Sequence, residues 1–226
     1  SNGVISNHSI IRVVFASDFA GNSVVGSVAD KNLINFSPSI KGEMIWVNSR
    51  TIEFTPFDPL PEDKEYTVTV ALDKLIKDIP KGFEEFEFNF RTIKQSMEVV
   101  INGLEFYQEA SKMERRLNGV VNTADFADAN EVKKTVEATQ GSDKLEITWE
   151  SSSDGKTHRF WVENIKQSDI VSKVIINCDG DPIKTDFSKK IEYEIPVKGE
   201  FRILSTRVIQ NPDQYVEIRF SEPLDQ

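Results

Sequence analysis

Short runs of β-branched, aromatic and other apolar residues, several of them alternating with polar residues, recur along the whole chain between turn-forming residues. A period of two places successive side chains on opposite faces of an extended strand, so each alternating run predicts a half-buried β-strand. The runs lie at 11–15, 44–47, 51–54, 66–70, 86–90, 145–149, 160–163, 174–176, 191–195 and 216–220. Short strands at this spacing, punctuated by Gly, Pro and Asp, predict an all-β chain folded as sandwiches.

The spacing of the runs also indicates how the chain is divided. At 226 residues, and with about 100–200 residues per domain, one or two domains are expected. One strand pattern ends and another begins near residue 95, which predicts a first β-sandwich over residues 1–95 and a second over residues 96–199. Residues 200–226 are expected to form the first strands of a following module, or a strand shared with the second sandwich.

One segment of the second sandwich has a helical pattern. Three acidic residues place negative charge at its start, where it suits the positive end of a helix dipole: Asp125, Asp128 and Glu131. Val132 and Val136 are four residues apart and would share one face of a helix. We therefore predict one short helix near residues 128–138.

A hairpin is predicted between the runs at 145–149 and 160–163. The Asp-Gly pair at 154–155 lies between them, and Asp-Gly is a preferred pair for a tight hairpin turn. A second Asp-Gly pair, at 179–180, is expected to end another strand.

The end of the sequence repeats the pattern of its beginning. In both 11–15 and 216–220, alternating apolar residues end at a Phe, and Phe220 follows Phe15 by 205 positions. This interval corresponds to about two modules of ordinary domain size. The repeat predicts that the sequence is cut inside a tandem array.

The net charge of −10 narrows the range of partners. An acidic surface repels phosphate backbones and anionic lipid, so neither nucleic acid nor direct docking on a membrane is expected. The sequence has no apolar run of about 18 residues that would predict a membrane-spanning helix. It shows no signal peptide, and Ser1, Asn2 and Gly3 match the scar of a cleaved tag, in which case a targeting segment has been trimmed away.

Cys178 is the single cysteine of the chain. One cysteine forms neither an intrachain disulfide nor a cysteine metal cluster, and this usage fits a bacterial module better than an animal extracellular domain. A nucleophilic thiol needs a base, and no histidine is near in sequence. We expect a partly buried, inert thiol.

The two histidines, His8 and His158, form no metal-spaced pair and are expected on the surface. Ser153, Asp154 and His158 are close together in sequence, which raises the alternative of a catalytic triad. A hairpin tip offers neither rigid support nor an oxyanion site, so we expect no catalysis there.

Two acidic clusters and the tryptophans complete the candidate chemistry. The first cluster consists of Asp125, Asp128 and Glu131, and the second of Asp179, Asp181 and Asp186. Both lack the ligand spacing of a calcium loop, so they are interpreted as a helix start and a turn.

Trp46, Trp149 and Trp161 would form a sugar platform if exposed, but each lies in a strand pattern and is expected in a core. The sequence thus predicts no catalytic, cofactor-binding or metal-binding residue, no cofactor, and a chain that is not an enzyme.

The order of motifs in the first third of the chain is distinctive. The motifs are the strand at 11–15, Phe-Ser-Pro at 36–38, Gly42, Trp46, Arg-Thr-x-x-Phe-x-Pro at 50–56, Leu-Pro at 60–61 and the strand at 66–70. This order resembles the immunoglobulin-like (Ig-like) N-terminal modules of bacterial alpha-2-macroglobulins. The later segments similar to that family are 116–126, 158–162, 179–183, 195–201 and 215–225.

The resemblance implies tandem Ig-like (macroglobulin) β-sandwich modules from a large protein that traps proteases in the bacterial cell envelope. In such a protein a protease cleaves a bait region, the modules rearrange, and in some members a thioester captures the attacker. The thioester motif Cys-x-Glu-Gln is absent, because Cys178 is followed by Asp179 and Gly180, and no bait region is identifiable. The chain would therefore carry a non-catalytic scaffold role.

The implied partners are other modules of the same parent chain and, through the full-length protein, target proteases. The implied location is the periplasm or cell envelope, with a lipid anchor outside this segment. The alternative interpretation is an Ig-like surface array for adhesion or carbohydrate binding.

Overall fold

A computed structural model describes residues 3–19, 25–109 and 112–222, with side chains for all of these except 108, 109, 112 and 113. Residues 1–2 and 223–226 lie outside the described residues. They include the start of the possible tag scar at 1–3 and the end of the family-like segment at 215–225. The chain divides into two compact units, residues 1–94 and residues 95–226. The all-β fold class predicted from the sequence is confirmed.

The first unit is a sandwich of two sheets. Its strands are β1 (Gly3–Ile5), β2 (Ile11–Val14), β3 (Ile34–Ser37), β4 (Gly42–Asn48), β5 (Thr51–Pro56), β6 (Glu65–Ala71) and β7 (Glu85–Thr92). One sheet has the order β1-β7-β6-β3 and the other the order β2-β5-β4. β1 runs parallel to β7, and the other pairs are antiparallel. Seven strands in a four-stranded and a three-stranded sheet match the smaller immunoglobulin sandwich.

The predicted alternation accounts for the core of the first unit. On β6, Tyr66, Val68 and Val70 are buried, while Thr67 and Thr69 between them are half-buried on the other face. A pleated strand directs every second side chain into the space between the sheets, so this pattern alone selects the core face.

The second unit has two four-stranded sheets and a separate hairpin. Its elements are β8 (Met97–Glu109), β9 (Lys112–Thr123), α1 (Ala129–Val132), β10 (Val136–Gln140), β11 (Asp143–Lys144), β12 (Ile147–Ser151), β13 (Thr157–Val162), β14 (Ser172–Asp179), β15 (Ser188–Ile195), β16 (Ile203–Ile209) and β17 (Tyr215–Phe220). The sheets have the orders β12-β13-β9-β8 and β11-β10-β14-β15. β16 and β17 pair with each other, and we call them the tail hairpin.

The hairpin predicted around the Asp-Gly pair at 154–155 is confirmed. β12 and β13 are antiparallel, with Trp149 opposite Phe160. Gly155 has a φ of 63°, a left-handed conformation that glycine adopts without strain.

The helix predicted near 128–138 is wrong over most of its length. Asp128 caps it as expected, accepting from the backbone N–H groups of Asn130 and Glu131, but α1 ends at Val132. From Val136 the chain is β10, which pairs with β14. A spacing of four between Val132 and Val136 fits a period of two as well as a helical period, and pairing with β14 decides for the strand.

Candidate interaction surface

The tail hairpin has an apolar face that is exposed to solvent. Cross-strand pairing places Val208 opposite Val216 and Thr206 opposite Ile218. We call the outward-facing set the tail face; it consists of Ile203, Thr206, Val208, Val216, Ile218 and Phe220. Val208 is 68% exposed and Val216 is 58% exposed. A contiguous exposed apolar patch of this kind marks a contact site in a soluble protein.

The opposite face of the tail hairpin carries Arg207, Glu217 and Arg219, together with Ile209 and the exposed Tyr215. Arg207 Nη2 donates to the carbonyl oxygen of Asn102 at 2.7 Å. Arg219 Nε donates to Glu217 Oε1 at 2.6 Å, and both side chains are largely covered. Leu204 of the hairpin packs against the core of the second unit, whereas the aliphatic side chains of the tail face are exposed to solvent.

The alternating pattern shared by 11–15 and 216–220 can be compared between β2, which belongs to the sandwich of the first unit, and β17. On β2, Ile11 is buried, and Val13 and Phe15 pack against the core of the first unit. Of their counterparts by sequence, Val216 and Ile218 are exposed and Phe220 is half-buried. One sequence pattern thus faces a core in one place and is mostly open to solvent in the other.

The structure does not assemble a triad from Ser153, Asp154 and His158. His158 is fully buried, which overturns the prediction of a surface histidine, whereas His8 is exposed as expected. The His158 ring lies 2.8 Å through Nδ1 from Ser151 Oγ and 3.1 Å through Nε2 from the carbonyl oxygen of Gly155. Both ring nitrogens of His158 are therefore engaged in contacts within the hairpin.

The burial of His158 follows from its position on β13. It shares the inward-facing parity of Phe160 and Val162, which are both fully buried. Burial lowers the pKa of the His158 imidazole, because the charged form loses its hydration. The strand parity was readable from the sequence and would have placed His158 inside.

Cys178 was expected to be partly buried and is almost fully buried, at 3% exposure. Desolvation raises the pKa of its thiol to about 11, so the thiolate is rare at neutral pH. The side chain belongs to the apolar core of the second unit.

The acidic clusters have structural roles. Asp128 caps α1, and Asp179 Oδ1 accepts from the N–H of Asp181 in the turn after β14. Asp125 lies outside the helix and is 1% exposed, with its Oδ1 3.7 Å from Lys156 Nζ. Within the described residues no three His, Cys, Asp or Glu side chains are grouped as they would be around a metal ion.

The tryptophans are divided between cores and one sheet surface. Trp46 is buried in the first unit, as predicted. Trp149 is half-buried and packs on Phe160, with ring centroids 5.1 Å apart. Trp161 is also half-buried but lies on the outer surface of its sheet, under the guanidinium of Arg116 at 5.1 Å. The core position expected for Trp161 is therefore wrong.

The fold and the exposed tail face define a class of protein: a chain of β-sandwich modules. Residues 1–92 match the family model of the bacterial Ig-like domain. An alpha-2-macroglobulin homolog from Yersinia pestis is 30% identical over 94 residues, which are 42% of this chain and 4% of that protein. The two matches support an Ig-like module of the alpha-2-macroglobulin family, as the motifs predicted. The chain spans only a small part of the curated relative it matches.

Solved structures of L,D-transpeptidases from Mycobacterium tuberculosis are also similar at a low level. L,D-transpeptidase 3 in complex with a faropenem-derived adduct has 9% identity and a TM-score of 0.30, covering 86% of this chain and 70% of that chain. A second L,D-transpeptidase, from strain H37Rv, has 10% identity and a TM-score of 0.28, covering 97% and 71%. Similarity this weak carries no argument about fold or activity.

In the part of the chain that the structure describes, no helix has the length and apolarity to cross a membrane.

Proposed function

We propose that this chain supplies non-catalytic scaffold modules of a bacterial alpha-2-macroglobulin-like protein that traps proteases in the cell envelope. The observation that carries the proposal is the exposed apolar tail face, which is suited to contact with another module. The Ig-like match over residues 1–92 and the similarity to the Yersinia pestis homolog support the choice of family.

The physical task of such modules is to hold a defined geometry and to present surfaces to their neighbours. In this proposal, residues 200–226 begin a third module, and the polypeptide that follows in the parent protein covers the tail face. Completing that sandwich would bury aliphatic side chains that are exposed here, such as Val208 and Val216, and burial of each contributes about 1.5–3 kcal/mol. The partners are then other modules of the same chain.

Target proteases would be engaged by the full-length protein. We place that protein in the periplasm or cell envelope, held by a lipid anchor outside this segment. The charge of −10 disfavours nucleic acid as a partner.

The protease-trapping role is tested on the full-length parent protein. After limited digestion with trypsin, we expect its radius of gyration by small-angle scattering to fall and the trypsin to co-elute with it. The retained trypsin should still cleave a small chromogenic peptide but not casein. Cleavage with no change in shape and no retained protease would reject the trap, and methylamine incorporation by intact mass would show whether a thioester takes part.

The module contact is tested by comparing two lengths of chain. The double substitution Val208→Lys and Val216→Lys should lower the melting temperature of the parent protein by several degrees but leave residues 1–226 alone unchanged, because both side chains are exposed in the shorter chain. Tyr215→Lys, at an exposed position on the other face of the hairpin, is the control and should have little effect in either chain. Equal effects of the double substitution in both lengths would exclude a module on the tail face.

A second candidate function is an Ig-like surface array for adhesion or carbohydrate binding. It is favoured by the match of the first unit to the general bacterial Ig-like domain, which is not restricted to protease traps. Binding of residues 1–226 to a glycan array, combined with absence of protease retention by the parent, would favour this function over the first.

A further inference from the structure

The link between the two strands of the tail hairpin has the same length as the link between the first two strands of the chain. β1 and β2 are joined by residues 6–10, and β16 and β17 are joined by residues 210–214, so each link has five residues. The strand after each link carries the repeated pattern, which ends at Phe15 in the first unit and at Phe220 in the second. The two segments therefore share a strand pattern and the length of the turn before it.

The two strand pairs nevertheless enter their sheets in different ways. In the first unit β1 pairs with β7 in parallel, and β2 pairs with β5 in the other sheet, so that Ile11 lies opposite Phe54. In the second unit β16 and β17 pair with each other. A link of five residues thus permits either a hairpin or a crossing between sheets, and the partner strands that are present decide between them.

The tail hairpin lacks the neighbours that a stable sheet needs. A two-stranded sheet is marginally stable in water unless it packs on further structure. Among the described residues neither β16 nor β17 pairs with a second strand, so one edge of each strand is open. The tail face adds exposed apolar side chains, and Val216 and Ile218 stand where β2 carries Ile11 and Val13, which face the core of the first unit. The open edges and the exposed face match a strand pair without its partner strands.

We propose that the tail hairpin opens in the parent protein and that its two strands enter opposite sheets of a third sandwich, as β1 and β2 do in the first unit. This inference rests on the third module of the proposed function. The partner of β17 is then an antiparallel strand of that module, equivalent to β5, with apolar side chains at every second position. The backbone hydrogen bonds between β16 and β17 are replaced by bonds to the new neighbours.

The test is a disulfide between two positions that lie opposite each other only in the hairpin. Thr206 and Ile218 are such a pair, and opposite residues of antiparallel strands have Cα atoms about 4.5–5.5 Å apart, which suits a disulfide. Packed sheets are about 10 Å apart, which is too far. With both lengths of chain exported to the oxidising bacterial periplasm, Thr206→Cys with Ile218→Cys should form the disulfide in residues 1–226 and not in the parent protein. Cross-linked peptides from a non-reducing digest give the readout.

Two control pairs calibrate the measurement. Arg12→Cys with Glu53→Cys places cysteines opposite each other on β2 and β5 and should form a disulfide in both lengths of chain. Val4→Cys with Arg12→Cys places them in different sheets and should form none in either length. Cys178 is 3% exposed and should take no part in any of these disulfides.

Equal disulfide formation by the Thr206 and Ile218 pair in both lengths of chain overturns the inference, since the hairpin then persists in the parent protein. No disulfide in residues 1–226 also overturns it, because the shorter chain then does not form the hairpin. The outcome is separate from protease trapping. A parent protein that lacks this disulfide and retains no trypsin supports the inference and rejects the proposed function, and one that forms the disulfide and retains trypsin does the reverse.

Discussion

The carboxylate of Glu222 lies 3.0 Å from Arg115 Nη2, joining residues that are 107 positions apart in the sequence. Glu222 also accepts from Gln167 Nε2 and from the N–H of Gly199, both at 3.1 Å. Each side chain of the Arg115–Glu222 pair is 20% exposed. These contacts attach the chain just after the tail hairpin to the second sandwich.

Removing this attachment should loosen the tail hairpin without unfolding the sandwich. Glu222→Ala deletes a partly buried ion pair and two further hydrogen bonds, at a cost of about 1 kcal/mol after allowance for solvent screening. We expect hydrogen exchange in 203–209 to become about fivefold faster, with β13 unaffected. Glu217→Ala, which removes an ion pair within one strand, is the control. Equal exchange in both variants would show that Glu222 does not hold the hairpin.

Close packing between Gly119 and Phe160 should make the second sandwich intolerant of a methyl group. A Cβ at position 119 would lie 2.3 Å from Phe160 Cζ, and Phe160 is fully buried. Gly119→Ala should therefore destabilise the second unit by about 1–3 kcal/mol, seen as a lower guanidinium midpoint of its unfolding transition. Gly3→Ala, with no atom within 4 Å of the added Cβ, should leave the first unit unchanged. A midpoint equal to that of the unsubstituted chain would contradict the packing.

The stability of the second unit should fall as the pH drops below about 6.5. The pKa of His158 is lowered by burial, so the unfolded chain takes up this proton before the folded chain does. Stability rises with pH wherever the unfolded state binds more protons, and one such group gives at most about 1.4 kcal/mol per pH unit. As the pH falls, the loss of unfolding free energy therefore begins near the ordinary pKa of histidine. It continues until the pH reaches the lowered pKa of His158 in the folded chain.

Two histidine variants isolate this effect from the titration of carboxylates. His158→Gln should flatten the pH dependence of the unfolding free energy just below about pH 6.5. His8→Gln changes an exposed histidine and should leave the dependence as it is. Identical pH profiles for the two variants would show that His158 does not cause the pH dependence of the unfolding free energy.

The thiol of Cys178 should resist alkylation in the folded chain. With a pKa of about 11 and 3% exposure, its thiolate is at least about a hundredfold scarcer at pH 8 than that of a free cysteine. Iodoacetamide should therefore modify it only at the rate of unfolding, and promptly in guanidinium, as followed by intact mass. Rapid modification of the native chain would mean that the core around β14 opens locally.

Local patterns were sufficient to predict the strands of alternating sequence and the hairpin at the first Asp-Gly pair, but not β10, which they predicted as helix. Side chains alternate across any extended strand, so the period of two at Tyr66, Val68 and Val70 identifies both a strand and its buried face. The Asp-Gly pair at 154–155 likewise specifies a turn through backbone conformations that few other residues adopt. These features depend only on neighbours in the sequence.

The placement of individual functional groups depended on contacts between distant residues. Val136 belongs to a strand because it pairs with Cys178, which lies on another strand far along the chain. The sequence by itself determined the all-β class and the family resemblance, since these follow from local periodicity and motif order. Only the tertiary structure decided that Glu163 is buried and that the tail face is exposed, because burial is set by which segments pack together.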